Sequence, residues 1–231
     1  MRHLTTLILL PTALLAGAAA TSPLAAQTYT SAAAFAAAAG APTYTETFET
    51  VPVSKDTRYA TFTKSGIKYT GQAGVPGPNV IVASPGYTNF PAVPGATTTS
   101  VLSANGDENI LVEFLPSVYS VGFDAWYNGL GPNTTTFYNG ATILGTITYN
   151  SAATIGFNGY IGTADTPITA MRWKSFAGAA LNSGIDNIRI DTTAPEAVVA
   201  TPEPASLMLL ATGFFVISVG VRRRSRGNSA R

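Results

Sequence analysis

Asp186 is the residue of this chain that most clearly needs a chemical partner. The segment from Ile185 to Asp191 alternates as a strand does, which predicts that Asp186 points to the same side as Ile188 and Ile190. An unpaired carboxylate on an apolar face is costly. A calcium ion, which binds carboxylate and carbonyl oxygens, would serve as the partner. A backbone turn contact from Ser183–Gly184, or an ion pair with a nearby arginine or lysine, would serve as well.

Two aromatic residues, Trp126 and Tyr127, precede a loop rich in glycine and asparagine at residues 128–133. An exposed aromatic ring beside polar side chains suits a sugar, which is apolar on its face and polar at its rim. The sequence therefore offers Trp126 and Tyr127 as candidate ligand-binding residues. The alternative is a place in the core, where tryptophan and tyrosine of a small β domain usually lie.

The amino-acid composition excludes most classes of enzyme that depend on cysteine or histidine. The chain of 231 residues has no cysteine, and its one histidine is His3, close to the N-terminus. Thiolate metal sites, cysteine nucleophiles and a Ser-His-Asp triad are therefore excluded. A glycosidase needs two carboxylates across a cleft, and no spacing in the sequence singles out such a pair. The chain is predicted not to be an enzyme.

The charges of the chain are segregated. The formal net charge is +1, but residues 28–200 hold seven basic and eleven acidic side chains, a net charge near −4. A mildly acidic domain without a basic stripe is a poor partner for nucleic acid.

A short helix is predicted near the N-terminus. Thr30 or Ser31 can cap it, the alanine-rich run from Ala32 to Ala39 propagates it, and Gly40 ends it. Phe35 is its one large apolar side chain, which predicts that the helix lies against the edge of a domain.

From Tyr44 onward the pattern is that of β-structure, because Thr, Tyr, Val and Ile dominate and Gly, Pro and Asn recur every eight to twelve residues. Asn139-Gly140 between two alternating runs is a strong hairpin signal. The predicted strands lie near residues 44–50, 66–70, 79–83, 110–114, 119–125, 134–138, 141–149, 168–175 and 185–191. We therefore expect an all-β domain over residues 27–191, an antiparallel β-sandwich of the jelly-roll kind.

Both ends of the chain have the composition of targeting segments. Residues 1–26 combine a short basic start, an apolar run and small residues, as a signal peptide cut by signal peptidase does. Residues 192–200 form a linker that contains Pro and Thr. Residues 205–221 are uncharged and about long enough for a single transmembrane helix. A basic cluster that favours the cytoplasmic side follows, made of Arg222, Arg223, Arg224 and Arg226.

Pro202, Glu203 and Pro204 precede this apolar run directly, and prolines keep such a peptide extended. Together, the Pro-Glu-Pro element, the apolar span and the arginine cluster over residues 201–226 resemble the PEP-CTERM sorting signal of exported bacterial proteins. The resemblance implies recognition and processing at Pro-Glu-Pro by an exosortase, an integral-membrane protease. It also implies surface localisation in a bacterium of the Gram-negative type, in an envelope or biofilm rich in exopolysaccharide.

The segment Ser183–Ile190, the start Thr47-Phe48-Glu49 and the hairpin Phe137–Gly145 are similar to parts of galactose-binding-like and carbohydrate-binding jelly rolls. Such domains often hold a structural calcium ion between an acid of the first strand and an acid of the last. The resemblance therefore implies Glu49, or Glu46 in its place, together with Asp186 as ligands of a possible calcium ion.

These observations predict an exported cell-envelope or extracellular-matrix protein with a non-catalytic β-sandwich that associates with exopolysaccharide or other surface components. The rival prediction is a carboxylate-based polysaccharide hydrolase or lyase on the same scaffold.

Overall fold

Alternating apolar and polar residues build two antiparallel sheets, seen in a computed structural model. The structure describes residues 26–73, 77–86, 98–104, 109–150, 153–175 and 183–195. Within these ranges there are fourteen strands and one helix. The all-β prediction with a single short helix is confirmed for this part of the chain.

The elements follow one another along the chain. In order they are β1 (Gln27–Tyr29), α1 (Ala32–Ala39), β2 (Tyr44–Glu46), β3 (Arg58–Tyr59), β4 (Thr61–Lys64), β5 (Ile67–Gly71), β6 (Val80–Ala83), β7 (Val101–Ser103), β8 (Asn109–Val118), β9 (Ser120–Tyr127), β10 (Asn133–Asn139), β11 (Thr142–Tyr149), β12 (Thr154–Ile161), β13 (Ile168–Ser175) and β14 (Gly184–Asp191).

Two sheets are formed. The eight-stranded sheet has the order β1-β12-β9-β14-β7-β6-β3, with β2 also paired to β14. The six-stranded sheet has the order β11-β10-β13-β8-β5-β4. The predicted hairpin is confirmed, because β10 pairs with β11 and Gly140 has a φ of 57° in the turn between them.

One apolar cluster joins the inner faces of both sheets. Phe123 and Ile188 come from the eight-stranded sheet, whereas Val112, Met171 and Trp173 come from the six-stranded sheet, and all five are buried in the same cluster. Full burial of such a side chain contributes about 1.5–3 kcal/mol, so this cluster is the main source of stability for the fold. Met171 and Trp173 share a face, as side-chain alternation along the predicted strand 168–175 requires.

Helix α1 packs on the outer face of the eight-stranded sheet. It has the predicted bounds: the Ser31 hydroxyl accepts from the Ala34 N–H at 3.3 Å, and the Gly40 N–H donates to the Ala36 carbonyl at 3.0 Å. Phe35 is buried in a small cluster with Phe157.

The strand predictions need correction in three respects. The strand predicted over residues 44–50 is β2, and it ends at Glu46 rather than Thr50. The reason is that Phe48 takes a positive φ of 57° and turns into the core. Strand β8 continues through Pro116 to Val118, where the sequence predicted a break. Five strands are absent from the prediction, namely β1, β3, β4, β7 and β12. In β12 the glycines weaken the β pattern, although they make room for large rings packed on the sheet.

The predicted end segments lie almost entirely outside the described residues. This holds for the signal peptide apart from Ala26, for the linker beyond Pro195 and for the whole of residues 201–226, including the apolar run. Among the residues that the structure describes, no helix has the length and apolarity needed to cross a membrane.

Gly159→Ala tests the packing of α1 on the outer face of the eight-stranded sheet. A Cβ at Gly159 would lie 2.7 Å from Phe35 Cδ2 and 2.8 Å from Phe157 Cε1, so the rings have to shift. We expect a loss of about 1–3 kcal/mol in the free energy of unfolding, measured in urea. Gly77→Ala is the matched control, because its Cβ would meet nothing within 4 Å. Equal free energies of unfolding for the two variants would contradict this packing of α1.

Candidate functional site

The outer face of the six-stranded sheet carries a groove. Its volume is ≈ 740 Å³, and its walls come from β8, the β10–β11 hairpin and β13. The lining side chains that matter below are Leu111, Glu113, Leu115, Tyr138, Ala170 and Arg172. A concave surface that combines apolar, aromatic and charged groups is typical of a ligand site.

Strand register brings these side chains together from distant parts of the chain. Successive side chains of a strand point to opposite faces, so the neighbours of buried Phe137, Met171 and Val112 point outward. Directly paired residues then form two rows across the face. One row is Tyr138, Ala170, Glu113 and Lys68, and the other is Thr136, Arg172, Leu111 and Thr70.

The groove has an apolar rim beside the Tyr138 ring. Leu115 and Ile143 are 61% and 62% exposed, which is unusual for side chains of this size. Ile143 is paired with Tyr138 across the hairpin, so both lie on the same face. This rim and ring offer a flat apolar surface to a ligand.

The charged groups of the groove are held by specific partners. Lys68 Nζ lies 2.7 Å from Glu113 Oε2, which neutralises that carboxylate. The Arg172 Nε–H donates to Asn109 Oδ1 at 2.7 Å, and this bond orients the guanidinium.

On the opposite sheet, the predicted orientation of Asp186 is wrong. Strand β14 has a bulge between Asp186 and Arg189, with Asn187 at a φ of 51°. The extra residue reverses the alternation, so Asp186 shares the outer face with its pair Asp124, whereas Ile188 lies in the core. The sign of this bulge in the sequence is the three-residue spacing between Ile185 and Ile188, which are both buried in the core although a regular strand alternates every second residue.

Asp186 is nevertheless almost completely buried, with 1% of its surface exposed. Burial raises the pKa of Asp186 to about 7. The hydrogen bond that the Asn187 N–H donates to Oδ1 acts in the opposite direction and lowers the pKa. The nearby charges of Asp124 and Glu49 raise the pKa further. Oδ2 has no hydrogen-bond partner within the described structure, although the Thr99 side chain is near enough to lower the pKa of the carboxyl.

The predicted partner Glu49 lies within electrostatic reach of Asp186. Its carboxylate accepts from the Ser100 N–H at 2.8 Å and the Ser100 hydroxyl at 2.9 Å, and Lys55 lies 3.4 Å away. These contacts, led by the Ser100 N–H, lower the pKa of Glu49.

Glu46, the other acid considered, faces the core. It is paired with Ile188 and bonded to Lys64 at 2.7 Å. It therefore lies on the opposite face of the sheet from Asp186.

These residues fit a cation in part. The free Oδ2 of Asp186 is a suitable oxygen ligand, and Glu49 is close to it. However, Lys55 already supplies a positive charge beside Glu49, and calcium would have to displace its ammonium group. In the described ranges, no group of three or more His, Cys, Asp or Glu side chains is placed to hold a metal ion.

Trp126 and Tyr127 are buried, with 4% and 1% of their surfaces exposed. Trp126 packs with Ile81 and Val101 on the outer face of the eight-stranded sheet. Tyr127 stacks on Tyr149 in the main core at a centroid distance of 4.1 Å. Rings at this depth present no face to a sugar, so the expectation of an exposed platform at these two residues is corrected.

The groove residues were not predicted as site residues from the sequence. Arg172 sits between Met171 and Trp173, whose predicted inward face already implied that Arg172 points outward. The position of Tyr138 in the predicted hairpin carried the same information. The missing information was the order of the strands, which places these two residues beside one another.

Comparison with known proteins bears on the C-terminal segment. The PEP-CTERM protein-sorting motif matches residues 200–224. The chain carries a PEP-CTERM sorting motif. Such a motif implies export, membrane anchoring before processing, and an exosortase as the processing protease. No curated protein and no solved structure matches the chain. The residues of the motif, Pro202, Glu203 and Pro204, and the arginines from Arg222 to Arg226 lie outside the described residues.

Asp186→Asn tests the electrostatics of the buried carboxyl. Its pKa is about 7 in the folded chain, whereas the ordinary pKa of an aspartate side chain is 3.8. Between these pH values the unfolded state has lost a proton that the folded state keeps, so stability falls as pH rises through this window. Asparagine does not titrate. We therefore expect the variant to be more stable than wild type by roughly 1–3 kcal/mol near pH 8 and similar to it near pH 4.

Urea unfolding at a series of pH values measures this difference. Asp165→Asn, which changes an exposed carboxylate in a turn, is the matched control and should follow the wild type throughout. A difference between Asp186→Asn and wild type that does not grow with pH would rule out the raised pKa.

Proposed function

We propose that this PEP-CTERM protein is an exported cell-envelope or matrix protein whose β domain binds exopolysaccharide without catalysis. The observation that carries the proposal is the groove on the six-stranded sheet, where Tyr138 and an apolar rim lie beside polar side chains. A sugar ring can pack its apolar face on Tyr138 while its hydroxyls bond to the charged and threonine side chains around it. Carbohydrate sites commonly combine these two kinds of contact.

The order of the strands supports a jelly-roll topology for this domain. From β7 to β14 the chain places β7, β9, β12 and β14 in one sheet and β8, β10, β11 and β13 in the other. Within these sets the spatial orders are β7-β14-β9-β12 and β8-β13-β10-β11. Two Greek keys folded over one another have this arrangement. Jelly rolls occur in lectins, which is consistent with a sugar ligand but does not by itself imply one.

The rival function, a hydrolase or lyase, requires a second carboxylate. A glycosidase places two carboxyl groups about 5–9.5 Å apart across the scissile bond. Among the described residues that line the groove, Glu113 is the one carboxylate, and it is paired with Lys68. These residues fit binding better than hydrolysis.

A structural calcium ion between Glu49 and Asp186 stays a proposal. Its support is the proximity of the two carboxylates and the free Oδ2. We expect calorimetry to detect heat on addition of calcium, and a chelator to lower the melting temperature of the wild type but not of Asp186→Asn. No heat and an unmoved melting temperature would remove calcium from this site.

The delivery route follows from the two ends of the chain. We propose that signal peptidase removes residues 1–26, that the apolar run holds the chain in the membrane, and that an exosortase then processes it near Pro202-Glu203-Pro204. The product would reside at the cell surface or in the extracellular matrix of a bacterium of the Gram-negative type.

Tyr138→Ala tests the groove as the polysaccharide site. Removing the ring should weaken binding to the host's exopolysaccharide by about tenfold, whereas Tyr138→Phe, which keeps the apolar face, should stay within about twofold of wild type. Affinity electrophoresis measures both. Release of shorter sugar chains during incubation with the wild type would favour the rival enzyme instead.

Mass spectrometry of the mature surface protein tests the sorting route. We expect a C-terminus between Thr201 and Ala205, and a larger, membrane-held form when Glu203→Ala is introduced. Glu196→Ala, an acid-to-alanine change in the linker, is the control and should be processed normally. A surface protein that still ends at Arg231 would contradict processing at this motif.

A further inference from the structure

The cations of the described domain are mostly neutralised by acids. Four cations form ion pairs: Lys55 with Glu49, Lys64 with Glu46, Lys68 with Glu113, and Arg189 with Asp124. Three cations have no carboxylate within ion-pair distance among the described residues, namely Arg58, Arg172 and Lys174. In a domain with a net charge near −4, unpaired cations that share one surface are unexpected.

Two of these three cations, Arg172 and Lys174, occupy the same face of β13. They are two residues apart and therefore lie about 7 Å from one another on the outer face of the six-stranded sheet. Arg172 lines the groove. Among the described residues, this outer face therefore carries three cations, Lys68, Arg172 and Lys174, and one carboxylate, Glu113, so the described part of the face is positive although the domain is acidic.

The guanidinium of Arg172 is oriented before any ligand arrives. Its Nε–H is bonded to Asn109 Oδ1, and no other hydrogen bond is made by this side chain within the described structure. The two terminal nitrogens are thus available as a planar fork. Such a fork matches a carboxylate with two parallel hydrogen bonds.

Threonine hydroxyls continue this surface toward the sheet edge. Thr136 is paired with Arg172 and Thr134 with Lys174, and the next strand adds Thr146 and Thr148 opposite them. Neutral hydroxyls can donate to and accept from the hydroxyls of a sugar chain. The surface therefore combines cations for an acidic group with hydroxyls for the rest of a sugar.

We propose that the groove selects acidic polysaccharides, with Arg172 binding a sugar carboxylate and Lys174 adding attraction to the next acidic unit. This inference rests on the proposed function and names the substrate class of the same site. Tyr138 supplies contacts that any sugar ring can use, whereas Arg172 supplies the discrimination between acidic and neutral chains.

The test compares two polymers that differ only in charge. Polygalacturonate and the same polymer after reduction of its carboxyl groups are titrated onto the full-length chain. We expect wild type to bind the acidic form at least about tenfold more tightly, with a preference that shrinks at high salt. Arg172→Gln should lose this preference, and Lys174→Gln should lose part of it. Arg172→Lys keeps the charge without the fork and should give an intermediate result.

Arg58→Gln is the matched control, because it removes an equally unpaired cation from an edge strand of the other sheet. It should bind both polymers as wild type does, and the thermal unfolding of all variants should coincide. Equal binding of the two polymers by wild type, or equal effects of Arg172→Gln and Arg58→Gln, would overturn the selectivity. If both polymers bind equally and Tyr138→Ala abolishes that binding, only this inference fails. If neither polymer nor the host's exopolysaccharide binds, the proposed function fails with it.

Discussion

The apolar core between the two sheets determines which side chains can reach a ligand. Each strand buries one face in that core, so every second residue points outward. The groove is a direct product of this rule, because Tyr138 and Arg172 are outward neighbours of the buried Phe137 and Met171. A shift of one residue in β10 or β13 would bury these polar groups and expose the core, so the register that stabilises the fold also builds the site.

The two outer faces differ in how far other side chains cover them. Helix α1 and the Trp126 cluster cover the outer face of the eight-stranded sheet, and the contacts of Glu49 with Lys55 and Ser100 lie beside them. Among the described residues of this region, Asp186 Oδ2, Thr99 Oγ1 and Trp126 Nε1 are buried without a hydrogen-bond partner. The six-stranded sheet instead keeps exposed leucine, isoleucine and cationic side chains. Binding therefore fits the second face better than the first.

Local signals in the sequence predicted local structure well. Ser31 and Gly40 bound the helix as expected, and Asn139-Gly140 forms the hairpin. The face of Asp186 was mispredicted because a bulge adds one residue between Ile185 and Ile188, whereas the prediction assumed a regular strand over residues 185–191. The site was missed for a different reason. Its residues are contributed by strands far apart in the chain, and their adjacency depends on strand order, which no short pattern encodes.

The position of β14 has a consequence for the order of events during export. This last strand is central, lying between β9 on one side and β7 and β2 on the other. The eight-stranded sheet therefore cannot close until Asp191 has been made and has crossed the membrane. The sorting motif begins at residue 200, only a short linker later. Under the proposed route, in which an exosortase processes the chain at this motif, a released chain is one whose last strand has had the chance to join the sheet.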